Sequence, residues 1–234
     1  MNEMIKLYIL LFFIYAFAGW VMETTTISIK NKKFVNRGFL IGPICPIYGY
    51  GVLLVTILLR KYQEDLVITF FMSIIICGFL EYFTSYFMEK IFKARWWDYT
   101  KKKFNINGRI CLENLVLFGI ASLIIIYITN PIIIKALNAL SNTWTNIIIC
   151  ILIIIHIIDN IISFKIILNL KQVSNEVKDN TIEISEKVKN IIHNKSIFHR
   201  RLVNAFPTIK EKVQFKKWTI IEKMEELKKN RKKN

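Results

Sequence analysis

Glu23, Glu81 and Glu113 stand inside stretches otherwise apolar enough to cross a bilayer. A carboxylate in hydrocarbon costs roughly 2.5 to 3.5 kcal/mol on insertion scales, so such residues usually face a bundle interior or a wet cavity and mark function. Counted from the ends that the loop charges mark as cytoplasmic, they lie about six, seven and four residues in, or roughly 6 to 11 Å below the boundary. One layer accommodates all three. Carboxylates that close do not all stay ionised without counter-charge: one takes up a proton, or the group recruits a cation. Arg37, Arg95 and Arg109 lie on the same side as plausible partners, and the plainer alternative is a set of separate structural ion pairs tying helices together.

Two further segments surround this layer. In RWWDYTKKKFNINGR, Trp96, Trp97 and Tyr99 flank Asp98, and Asn105, Asn107, Gly108 and Arg109 follow. Either the aromatic residues form an interfacial belt, or the loop is a lid over the carboxylates with the asparagines and Arg109 as its polar underside. Gly108 permits a tight turn before the next span. Upstream, GFLIGPICPIYGYG carries Gly38, Gly42, Pro43, Pro46, Gly49 and Gly51. Proline removes a backbone donor and disfavours helix in the residue before it, so a regular helix is expected to start only near Pro46. The stretch before it is either a broken or re-entrant segment at membrane depth, or a cytoplasmic turn followed by a short tilted helix.

The elements that position these residues follow from hydropathy. About five stretches approach the roughly 20 residues a crossing helix needs: Leu7–Ile29, Gly38–Leu59, Leu66–Met88, Ile110–Ile128 and Trp144–Leu168. Lys30, Lys32, Lys33 and Arg37 follow the first; Lys90, Lys93, Arg95, Lys101, Lys102, Lys103 and Arg109 follow the third. The other connections hold only Arg60 and Lys61, offset by Glu64 and Asp65, and then Lys135. By the positive-inside rule the chain is a multi-pass cell-membrane protein with its N-terminus outside and its C-terminal tail in the cytoplasm.

The expected fold is therefore an all-α integral membrane protein, with residues 1–170 as the transmembrane domain and 171–234 as a basic helical tail. The tail has 17 basic and 8 acidic residues. Apolar positions such as Val173, Val177, Ile184, Val188 and Ile191, and again Ile209, Val213, Ile220, Met224 and Leu227, line one helix face each. Such helices lie on anionic lipid, or else form a short coiled coil or partner-binding surface. In 234 residues, 53% hydrophobic residues together with a net charge of +16 leave no room for a separate soluble catalytic domain and point to membrane and not to nucleic acid. His156 and Asp159, three apart on one face beside Asn160, suit a proton relay or a helix–helix hydrogen bond but fall short of a metal site's ligand count. Cys45, Cys77, Cys111 and Cys150 are dispersed and read as packing residues. No phosphate-binding loop, H-E-x-x-H or G-x-S-x-G occurs, so neither cofactor nor metal is expected, and any ATP hydrolysis belongs to another chain.

Three ordered blocks, GWVMETTTISIKNKKFVNRGFLIGPICPIYGYG, LEYFTSYFMEKIFKARWWDY and FNINGRICLEN, resemble the bacterial ABC-transporter permease family known as type IV or CmpB-like. The likeness covers about Leu7 to Ile134, and matching positions include Glu23, Tyr48, Glu81, Glu89, Tyr99 and Arg109, with Glu113 less secure. It implies an integral protein of the bacterial inner membrane and a partner ATPase. Five spans make a small pathway, so a homo-oligomer or partner is expected. Transport at the glutamate layer is the leading expectation. An intramembrane enzyme acting on a lipid head group or isoprenoid phosphate, with the arginines holding phosphate, and a non-catalytic scaffold are the alternatives.

Overall fold

The computed structural model describes residues 2–92 and 95–176, with side chains to residue 165. The expected tail therefore lies outside the described residues beyond its first few positions. Six helices, α1 (Glu3–Asn31), α2 (Pro46–Leu58), α3 (Leu66–Phe92), α4 (Leu112–Ile124), α5 (Asn130–Asn138) and α6 (Asn142–Glu176), account for most of what is described. A π-helical turn at Ile125–Thr129 joins α4 to α5, and two-residue strands β1 (Asn105–Ile106) and β2 (Ile110–Cys111) form a hairpin before α4. Among the described residues, four stretches are long and apolar enough to cross a membrane: Glu3–Asn31, Leu66–Phe92, Leu112–Asn138 and Asn142–Lys165. The fifth expected span is only partly helical, because α2 has 13 residues, about 20 Å at 1.5 Å per residue against a core of roughly 30 Å.

What precedes α2 is a loop that runs back along α1 one turn at a time. Val35 N–H bonds Ser28 Oγ at 3.0 Å, Arg37 N–H bonds Thr24 Oγ1 at 3.4 Å, Trp20 Nε1 donates to Asn36 Oδ1 at 2.7 Å, and Cys45 N–H bonds the Ala16 carbonyl at 2.9 Å. Positions 28, 24, 20 and 16 lie four apart on one face, so the loop descends about 18 Å along the helix. Leu40 is fully buried and Val35 and Ile44 nearly so, so protein covers this loop, as the re-entrant alternative requires. As expected, the helix itself starts at Pro46, in its first turn, where the missing N–H has no helical partner to lose. Gly49 then allows α2 to press on α1: a Cβ there would stand 2.6 Å from the Phe12 carbonyl oxygen.

In α3 the usual sidedness of a soluble helix is inverted. Phe71, Ile75, Phe79 and Phe83 are exposed at 59%, 50%, 61% and 47%, whereas Thr69, Ser73, Glu81 and Ser85 are buried. A helix surrounded by lipid on one side and protein on the other takes this form, because hydrocarbon solvates the apolar face and only the bundle offers hydrogen bonds.

The fourth span runs to Asn138 and not, as expected, to Ile128, because Asn130 and Pro131 bend the helix instead of ending it. Pro131 lacks a donor and crowds the preceding turn, so Asn130 N–H reaches back five residues to the Ile125 carbonyl. Asn130 is 4% exposed and accepts from Tyr15 OH at 2.8 Å while donating to Thr56 Oγ1 at 3.0 Å, so its polarity is satisfied inside the bundle. The last span starts at Asn142, two residues before the expected Trp144.

Candidate functional site

The ends of α1 and α3, the starts of α2 and α4, and the loop between α3 and α4 converge at one end of the bundle. Glu23, near the end of α1, accepts a hydrogen bond from Tyr48 OH at 2.7 Å, and Arg37 Nε stands 3.7 Å away. Tyr48 belongs to the first turn of α2 and passes over Gly19, where a Cβ would meet the tyrosine ring at 2.3 Å. Glu81 on α3 is 5% exposed and accepts from Tyr99 OH at 3.0 Å. Its second oxygen, Oε2, is buried and has no hydrogen-bond partner among the described residues. Burial first, then the Glu81 carboxylate and more weakly that of Glu23, push the Tyr99 phenol above its ordinary value of 10.0. The phenol thus feels both carboxylates and remains a donor to Glu81.

Beside this pair lies an ion cluster centred on Glu89, which was not among the expected site residues. Its Oε2 receives Arg95 Nε at 3.0 Å and Arg109 Nη2 at 2.7 Å. Arg95 also donates to the Asn107 carbonyl at 3.2 Å and stands 3.8 Å from Asp98. Arg109 donates to Ser85 Oγ at 3.3 Å and lies over the rings of Tyr82 and Tyr86, 5.7 and 5.5 Å from their centroids. Such desolvated, paired guanidinium groups hold geometry more than they offer free charge.

The aromatic loop is shaped by the hairpin it leads into. Asn107 and Gly108 have φ of +53° and +66°, and Arg109 N–H closes the turn on the Ile106 carbonyl at 2.9 Å. At Gly108 a Cβ would meet Thr100 Cγ2 at 2.5 Å and Asp98 Oδ1 at 2.8 Å, so glycine answers both the left-handed backbone and the crowding. Trp96 packs with Val35 and Phe92 in a buried cluster, whereas Trp97 Nε1 donates to the Arg109 carbonyl at 2.9 Å. Asp98 caps Thr100 N–H at 3.0 Å, and Asn107 donates to Tyr82 OH at 3.0 Å. Trp96 is therefore core, and it is Tyr99 that reaches the carboxylates.

Glu113 stands apart from the other two glutamates. Contact of Leu115 with Gly78 sets it about level with Glu81, but its side chain points elsewhere, to Lys102 Nζ at 2.6 Å, in an ion pair whose partners are 61% and 49% exposed. Glu113 therefore does not share the partners of Glu23 and Glu81.

The broken-helix residues have a structural partner in α6. Asp159 accepts from Ile41 N–H at 2.8 Å through Oδ1 and from Gly42 N–H at 2.9 Å through Oδ2; Ser163 Oγ donates to Oδ1 at 3.1 Å. Gly42 is needed for this approach, since a Cβ would lie 2.8 Å from Oδ2. Gly38 is buried against Trp20, while Pro43 is exposed on the outside of the bend. Asp159 thus bonds a loop and not the neighbouring helix or His156. The His156 ring instead packs edge-on against Phe12 and Phe13 at 5.8 and 5.6 Å, with Asn160 at its Nε2. Among the described residues no group of three or more His, Cys, Asp or Glu is placed to hold a metal ion.

Long apolar helices, an inward polar face and a re-entrant loop closed by a carboxylate define a multi-pass helical membrane protein with a buried ionic cluster at one end. The chain belongs to the family described as "Putative ABC-transporter type IV", whose sequence model matches residues 10–164. The match extends beyond Ile134 into α6, as far as residue 164, and includes Asp159. No curated protein and no solved structure gives a significant match.

Proposed function

We propose that this chain is a permease-like transport subunit whose ligand site is the Glu23–Tyr48 and Glu81–Tyr99 pair together with the arginine cluster of Arg37, Arg95 and Arg109. Trp97, Asp98 and Asn107 position the covering loop, Trp96 anchors it, and Glu113 with Lys102 stands at the rim. The observation that carries the reading is Glu81 Oε2, a buried carboxylate oxygen with no protein donor among the described residues, next to a second carboxylate and a broken helix. Half-helices that start at membrane depth and face charged groups are a recurrent device of transporter binding sites. The unpartnered Glu81 oxygen, with the Glu23 carboxylate near it, suits the ammonium end of a zwitterionic ligand.

A chain with no nucleotide-binding motif works with a separate ATPase or as an oligomer. Positive charge gathers in the loops that carry the site, which supports a cytoplasmic placement of that end and of the C-terminal tail, and an extracellular N-terminus. The basic tail then meets anionic lipid. The lipid-enzyme alternative is less well supported, because the guanidinium groups lie against Glu23, Glu89 and Asp98, which a phosphate would have to displace.

The test is uptake of a mixture of labelled amino acids, as zwitterionic probes, by membrane vesicles that carry the chain with its candidate ATPases. The expected result is ATP-dependent accumulation that Glu23→Gln and Glu81→Gln abolish. Accumulation that survives both substitutions would overturn the site.

A further inference from the structure

The inward face of α3 is a ladder. Thr69, Ser73, Cys77, Glu81 and Ser85 recur every four residues, and all but Cys77, which is half-buried, are at most 5% exposed. Every rung carries an O–H, S–H or carboxyl group. From Thr69 to Ser85 the ladder extends about 24 Å at 1.5 Å per residue, most of a hydrocarbon core of roughly 30 Å. At one end Ser85 Oγ meets Arg109 at 3.3 Å, within the ion cluster. At the other, Tyr127 OH joins Thr69 Oγ1 at 3.3 Å to the Gln63 carbonyl at 2.7 Å, in the connection between α2 and α3. The ladder therefore links the two ends of the bundle.

Small residues every four positions also serve close helix packing, and Gly78 and Gly119 do so between α3 and α4. Packing does not require the hydroxyl of Ser73, however. Its Oγ is buried, at a residue with 0% exposure, and has no hydrogen-bond partner among the described residues; alanine would pack there without burying an unpaired polar group. Glu81 Oε2, two rungs away, is in the same condition. Two unpaired polar atoms on one buried face, with the Cys77 thiol and the Ser122 hydroxyl facing between them, make a place that water can occupy with several partners.

We propose that the α3 ladder conducts protons, with Glu81 as the group that takes up and releases each proton and Ser73 as the relay toward Thr69 and the far end. From Glu81 to Ser73 is about 12 Å along the axis, roughly three hydrogen-bonded waters in file between the two side chains. A proton from water on the ion-cluster side forms the O–H bond at Glu81 Oε2. That bond then breaks toward the next water, each relay accepting one proton as it donates another. Nothing is oxidised or reduced, and one proton leaves at the far end for each that enters. The charged and titratable groups around Glu81 are Tyr99 of the loop, Glu23 of α1, Tyr48 of α2 and Cys77 on its own helix, with Arg109 one turn away at Ser85. This goes beyond the ligand-transport reading and does not depend on it, since proton flow needs neither organic ligand nor ATPase.

The test uses the purified full chain in phosphatidylcholine–phosphatidylglycerol liposomes that contain a pH-sensitive dye, with a potassium diffusion potential imposed by valinomycin. Wild type is expected to pass protons faster than protein-free liposomes. Glu81→Gln and Ser73→Val are expected to lower that rate about tenfold or more, while lipid-facing Cys150→Ser leaves it unchanged. Valine adds bulk at Ser73, so Ser73→Ala, which removes only the hydroxyl, is run beside it and is expected to slow the flux measurably. Wild-type flux no faster than that of empty liposomes would overturn the proposal. So would flux that folded Ser73→Ala leaves unchanged.

Discussion

Replacing Asp159 by asparagine tests whether the last helix holds the re-entrant loop in place. The carboxylate accepts two backbone N–H groups, from Ile41 at 2.8 Å and Gly42 at 2.9 Å, and is itself 9% exposed. Hydrogen bonds to a charged acceptor contribute about 1.5 to 3 kcal/mol each, so the pair contributes about 3 to 6 kcal/mol. Asparagine keeps one carbonyl oxygen for one of the donors and turns an amide group toward the other, so about half is lost. At 1.4 kcal/mol per factor of ten, that corresponds to roughly ten- to a hundredfold more frequent opening of the loop. Hydrogen–deuterium exchange of the peptide covering residues 38–45, in detergent, reads that opening directly. Exchange there should accelerate by this factor while peptides from α3 and α4 stay unchanged. Exchange unchanged in the loop, with the variant folded, would refute the assignment of Asp159 as the clamp.

Gly19→Ala puts a methyl group 2.3 Å from the Tyr48 ring and should lower stability by about 1 to 3 kcal/mol in thermal melts, whereas Gly51→Ala, with 3.6 Å to Leu80, should be nearly neutral. Tyr99 titrates higher when folded than when unfolded, so its contribution is complete below the ordinary phenol value of 10.0 and is lost as pH rises past it. Melting temperatures followed from neutral pH to about pH 11 should therefore fall more steeply for wild type than for Tyr99→Phe. Glu89→Gln removes the common partner of Arg95 and Arg109 and should both destabilise by about 1 to 2 kcal/mol and speed tryptic cleavage between Lys101 and Arg109. Glu113→Gln, which breaks an exposed pair with Lys102, should leave the melting temperature unchanged.

How much of this was legible in the sequence depends on the kind of regularity involved. Hydropathy and proline chemistry give the long helices and the start of α2 at Pro46, because lipid forces every backbone group into a helix or a covered loop. Relative level along adjacent helices is legible too: the Gly78–Leu115 contact brings Glu81 and Glu113 about level. Azimuth is not, since the rotation of each helix about its axis decides whether its glutamate meets Tyr99 or Lys102, and only packing sets that angle. Asp159 was visible as a polar residue in an apolar helix, but its partners are backbone N–H groups 117 and 118 residues away, which no side-chain pattern marks. Glu89 sits near the end of α3, where charge looks ordinary; its place in the family-like block LEYFTSYFMEKIFKARWWDY was the available signal. Asn130 looked like a loop residue beside Pro131 because its two partners, Tyr15 and Thr56, lie on other helices.

The central claim is that Glu81 and Glu23 together form the ligand site of a transport subunit. Its most direct test is ATP-dependent uptake of the labelled amino-acid mixture by vesicles with wild type, Glu81→Gln or Cys150→Ser at equal levels of inserted protein. Accumulation in wild type and Cys150→Ser, with none in Glu81→Gln, is the predicted result. Equal accumulation in all three would contradict the account.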